Sequence, residues 1–378
     1  MQRRIRLLSA ALAATTALGL LPATPAVAAP PPAQLHTFGP SGQLNSTETF
    51  APPGATPVIG AFDAEAGDDI IWYTPGAGGD AFWSSNQDGT WTASALSVSG
   101  AYTPYVGFFG GGHDSGQDVL WYSSTGASQL WDFDDLAQNG VIKTSLPTVT
   151  GTGTILVGDF TTDGATDLIR YRPGAAVEQW WDFDQPDAPT DTVPVLTTRT
   201  FSVGGTYTPV VGRFGADDIS GDYGADILWY APGNTADSLW DFDPHATFSK
   251  TAFAINGTFT PVVGHWTTDV AEDVIWYAPG AAADSLWDFR ENAPVVKKGL
   301  TINGTYTPYA CSCLDTGSKD RMDILWHGVG NAPDAFWSVE GNAFTVTSYS
   351  YPGTSIRGSK LVLPDLDGSR DHAVISYG

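Results

Sequence analysis

Three aspartates on one short turn are the first residues that could do chemistry. Asp159, Asp163 and Asp167 flank Thr161 and Gly164 in G-D-F-T-T-D-G-A-T-D. Calcium takes roughly six to eight oxygens, so carboxylates spaced along a tight glycine turn can converge on one ion. Asp218, Asp222 and Asp226 offer the same set in D-I-S-G-D-Y-G-A-D, and Asp365, Asp367 and Asp371 offer it near the C-terminus. These nine aspartates are the candidate metal ligands. Such a calcium would be structural, stiffening a loop. The same acids also suit a plainer task, accepting backbone N–H bonds within their own turns.

A second pattern sets an aspartate three residues before a tryptophan. The pairs are Asp80 with Trp83, Asp237 with Trp240, Asp284 with Trp287, and Asp334 with Trp337. A sugar can stack on an indole through its C–H groups while a carboxylate takes its hydroxyls. These eight are the candidate ligand-binding residues, although a tryptophan at a fixed repeat position also suits packing. No H-E-x-x-H, G-x-S-x-G, C-x-x-C or phosphate-loop motif is present, and no catalytic residue is nominated. The least regular segment is Gly110-Gly111-Gly112-His113-Asp114.

The elements that must position these residues repeat along the chain. Each unit reads T-P-V-V-G-x-F, an acidic loop, D-I-L-W-Y, a P-G turn, D-S-L-W-D-F, then an apolar run ending N-G-T-Y. The glycine falls at 60, 107, 158, 212 and 264, and Cys311 and Pro364 take its place in the last two copies. Four strand-length runs per copy, separated by turn signals, predict a four-stranded propeller blade. Seven copies predict an all-β, seven-bladed β-propeller. The last copy ends after two strands. Gln34–Phe38 matches Gln129–Phe133, and 22 residues separate Leu35 from Pro57 as they separate Leu239 from Pro261. Residues 34–54 are therefore expected to complete the last blade, closing the ring and removing an open edge.

Through these motifs the chain resembles the FG-GAP / VCBS-type repeat of integrin-like β-propellers and many secreted bacterial proteins. The copy most similar to that family runs from Gly158 to Leu168. The resemblance covers nearly all of the chain beyond residue 28. It implies a propeller and calcium in the loop between the first two strands. It does not choose a function, because the family hosts adhesion, glycan binding and some enzymes.

Composition narrows the partners. The 378 residues hold 17 Lys+Arg against 41 Asp+Glu, a net charge of −24, so no basic surface exists for nucleic acid or an anionic membrane. Three of the basic groups, Arg3, Arg4 and Arg6, precede the apolar run Leu7–Leu21 and the A-x-A site Ala26–Ala28. Residues 1–28 read as a signal peptide and 29–378 as the propeller. The apolar run is too short to span a membrane. Arg3-Arg4 leaves both the general secretory and twin-arginine routes open. Export permits a disulfide between Cys311 and Cys313, which also read as two small buried residues.

The expectation is a secreted, monomeric, non-catalytic binding protein, lectin-like or protein-binding, with structural calcium in some loops. Its partner would be a neutral glycan or an extracellular protein. The alternative is a secreted carbohydrate-active enzyme, a glycosidase or lyase, on the same scaffold. A pocket repeated between blades would mark the binding module, and one cleft of non-repeated polar residues the enzyme.

Overall fold

The computed structural model describes residues 33–38, 44–49, 52, 54–63, 67–76, 78–86, 90–109, 116–133, 141–146, 151–174, 177–184, 195–215, 224–233, 236–267, 270–280, 283–290, 293–313, 322–328, 332–340, 345–351, 360–362 and 374–377. Their strands form antiparallel four-stranded sheets. Six sheets are contiguous blades, at residues 56–96, 103–145, 154–201, 208–253, 260–300 and 306–351. We number them one to six. The first strand of each of the first five touches the first strand of the next, which arranges the blades as a β-propeller.

The expected seven equivalent blades need correcting. Six blades are complete and contiguous, and the remaining sheet is of another kind. It is split between the ends of the chain, with Ala33–Phe38 and Leu44–Thr49 beside Val374–Tyr377 and then Lys360–Val362. Its two C-terminal strands have only three and four residues. So short a ladder makes few hydrogen bonds of its own and depends on pairing Gln34, Leu35 and His36 with Ser376, Ile375 and Val374. Counting contiguous blades gives six; counting sheets gives one more.

Burial explains the strand sequences. The second strands, Asp69–Tyr73 and its counterparts, are buried at every position in blades one to five, because neighbouring blades cover both faces. Such strands need no polar alternation. The fourth strands form the rim and are largely exposed, as in Trp91–Leu96 and Phe248–Phe253.

The opening glycine makes room for the aromatic residue two positions on. A Cβ on Gly212 would meet the Phe214 ring at 2.5 Å, and one on Gly264 the Trp266 ring at 2.6 Å. The aromatic then wedges between blades, as Phe214 does against Phe289 at 4.8 Å. Blade six replaces this pair with the disulfide Cys311–Cys313. Both cysteines are buried and pack with Leu361 and Val374 of the split sheet, so a covalent link occupies the wedge position at the closing seam.

Backbone bonds fasten each blade to the next beside these wedges. Ala61, Asp159, Arg213 and His265 carbonyls accept from the N–H of Gln117, Ala225, Glu272 and Met322 at 2.6–3.1 Å, and Phe108 accepts from Thr166. Each such bond is worth about 1 kcal/mol net.

Candidate functional site

The repeated acids are staples of the blades. The last aspartate of a first–second loop accepts two backbone N–H bonds, one from the loop's opening and one from the end of strand three. Asp69 takes Phe62 and Ser85, Asp167 takes Phe160 and Phe183, Asp226 takes Phe214 and Phe242, and Asp273 takes Trp266 and Phe289, at 2.8–3.1 Å. Burial pushes Asp69 and Asp226 up to about 7 and Asp167 up to about 8. Nearby Asp63, Asp182 and Asp241 raise them further, while the N–H bonds pull them down.

The third loop allows a fit test for calcium. Both oxygens of Asp167 accept backbone N–H bonds, Asp159 accepts from Thr161 and Gly164, and Asp163 accepts from Ala165. These carboxylates face backbone amides of the loop and of the end of strand three and do not fit a cation cage in this arrangement. Burial, with Asp163 adding repulsion, raises Asp159 to about 6. Among the described residues no three His, Cys, Asp or Glu converge as metal ligands. Asp218, Asp222, Asp365, Asp367 and Asp371, and the irregular segment 110–114, lie outside the described residues.

The candidate ligand-binding acids sit in a second staple. Asp80 accepts from Thr74 and Val98, Asp237 from Ala231 and Ile255, and Asp284 from Ala278 and Ile302, at 2.6–2.8 Å. Asp334 accepts from Gly328 and meets His327 Nδ1 at 2.9 Å. All four are buried. Trp240 and Trp287 are buried too, and Trp83 and Trp337 half-buried. Each packs edge-to-face on the tryptophan of strand two, at 5.1–5.7 Å. The structure thus brings each Asp–Trp pair into the blade interior, the acid tying turns and the indole packing.

An open cleft lies elsewhere, between the outer strands of blades four and five. Its volume is about 500 Å³. Phe214, Leu239, Phe253 and Phe289 form its apolar floor. Thr251 and Asp241 of blade four and Val295, Lys297 and Arg290 of blade five line its walls. Strand pairing sets these positions: Leu239 opposes Thr251, and Trp287 opposes Lys297. Lys297 Nζ lies 3.4 Å from the Trp287 ring centre, a cation–π contact, and burial lowers its pKa. Arg290 is bonded to Asp288. A side chain at Gly215 would collide with the Asp241 carboxylate, which keeps this mouth free of bulk.

The cleft can hold a small amphipathic ligand, with aromatic and aliphatic carbon below and a hydroxyl, a carboxylate and cations around the rim. None of the candidate ligand-binding residues Asp80, Trp83, Asp237, Trp240, Asp284, Trp287, Asp334 and Trp337 is among its lining residues. The usable signal was the repeat column of Lys143, Lys250 and Lys297, each opposite a tryptophan, together with the differing bulk of its neighbours.

Solved structures share this fold. A solved structure, described as the structural basis of specific recognition of non-reducing terminal N-acetylglucosamine by an Agrocybe aegerita lectin, has a similar fold. The TM-score is 0.61, with 12% sequence identity over 93% of this chain and 96% of that one. At that identity the likeness speaks for the β-propeller alone. No protein-family model matches the chain, and no curated protein does.

Proposed function

We propose that this protein is an exported, non-catalytic carbohydrate-binding β-propeller whose site is the cleft between blades four and five. The observation that carries this reading is the cleft's composition: an apolar floor under a rim that offers Thr251, Asp241 and Lys297. That pairing of surfaces suits an N-acetylated sugar. The acetamido methyl would meet the floor and the hydroxyls the rim. The similar fold of the fungal lectin, which recognises terminal N-acetylglucosamine, supports the choice of ligand class. The leader-like residues 1–28 support export, and the loop motifs support repeats of the FG-GAP / VCBS type. In this reading a calcium ion would belong to the loop of Asp218 and Asp222 or to that of Asp365, Asp367 and Asp371 rather than to the loop of Asp159 and Asp163. A rise in unfolding temperature on adding calcium would support that assignment, and an unchanged temperature would remove it.

The test is titration with triacetylchitotriose alongside a broad glycan array. Val295→Phe should reduce affinity at least tenfold while leaving the fold intact. The preceding blade junction already carries phenylalanine at that repeat position, Phe248, so the ring tolerates it. Undiminished binding by a folded Val295→Phe protein would move the site elsewhere.

A further inference from the structure

The junction between blades three and four repeats the floor of the four/five cleft but carries different walls. Phe160, Trp180, Phe201 and Phe242 hold the positions of Phe214, Leu239, Phe253 and Phe289. Lys250 Nζ lies 3.7 Å from the Trp240 ring centre, as Lys297 lies over Trp287. Asp182 stands where Asp241 stands. The walls differ at several positions, and Asp243 and Thr161 stand where Arg290 and Gly215 line the four/five cleft. Phe248 replaces Val295, and its ring stacks on Trp240 at 4.5 Å with a 12° tilt, also touching Phe242 at 5.1 Å. Arg199 replaces Thr251 and is bonded to the buried Asp182, with its guanidinium 5.9 Å from the Trp180 ring.

We infer that the three/four junction is a latent second copy of the ligand site, closed by Phe248 and by the Arg199–Asp182 pair. This rests on the reading of the four/five cleft as the ligand site. The aromatic floor, with Trp180 in place of Leu239, the lysine-capped tryptophan and the acid are kept, and side-chain bulk separates the two junctions. Phe248 covers the indole that its counterpart Val295 is too short to reach across, and Arg199 spans the mouth that Thr251 leaves open. Side-chain size at the rim and floor therefore decides which of these two junctions is open.

The experiment opens the junction with Phe248→Val and Arg199→Thr and counts bound triacetylchitotriose by calorimetry and native mass spectrometry. Arg199→Thr leaves Asp182 buried without its cation and could cost the fold. A second variant, Phe248→Val alone, keeps the Arg199–Asp182 pair and uncovers the Trp240 indole. The expected result is one more bound ligand per chain than the parent, and restored binding when the opening is added to Val295→Phe. A folded opened protein that binds no more ligand than its parent overturns the inference, as does a crystal structure in which the opened junction shows no cleft over Trp240. If the unmodified protein binds nothing, the reading of the four/five cleft has failed. The opened variants then answer alone: gained binding keeps the latent site, and none ends it.

Discussion

Asp237→Ala lowers the stability of the ring by about 3 kcal/mol, the cost of two buried N–H groups left without an acceptor at roughly 1–3 kcal/mol each. The groups are the backbone N–H of Ala231 and of Ile255, bonded at 2.7 and 2.6 Å. Along the chain they precede and follow the outer two strands of blade four, so the loss unties the P-G turn and the exit toward blade five together. Asp237→Asn keeps one acceptor and should lose about half as much. Calorimetric unfolding measures both. The same substitution separates two roles: a carboxylate serving a sugar would lose affinity and keep its unfolding temperature. An Asp237→Ala protein that melts within a degree of the parent would refute the staple.

Acidification from pH 8 to pH 5 stabilises the protein. Asp69, Asp167 and Asp226 are raised in the folded state to about 7, 8 and 7, chiefly by burial. Unfolded, each returns to 3.8. Between those limits the folded chain binds more protons than the unfolded one, so stability falls as pH rises and is largest below about pH 4. Each pH unit inside the window is worth at most about 1.4 kcal/mol per group. Relief of the repulsion within a chain of charge −24 acts with the same sign. The expected result is an unfolding temperature several degrees higher at pH 5 than at pH 8. A fall over that range would show that these carboxylates stay ionised in the folded protein.

The strands were legible because each repeat spells its own ladder. The runs Asp69–Tyr73, Asp118–Tyr122, Asp167–Tyr171, Asp226–Tyr230 and Asp273–Tyr277 are strands with those same ends. The roles of the acids were less legible, because a carboxylate that staples a turn and one that awaits a ligand look alike in a string of letters. Asp284 illustrates this: only its bonds to Ala278 and Ile302 separate the two. The cleft was the least legible, because its walls are contributed by two blades and reading them needs the register of both.

The staple on the first–second loop has a consequence for change over time. The aspartate that closes the loop follows the N–H that opens it by 7 positions in blades one, three and five, 9 in blade two, 10 in blade six and 12 in blade four. The clasp at the base is the same whatever hangs beyond it. Segments on this face can therefore be lengthened, shortened or exchanged without renegotiating the interior. The ring behaves as a set of sockets, and a new binding surface could be written loop by loop, by evolution or by an engineer, with the aspartate left in place.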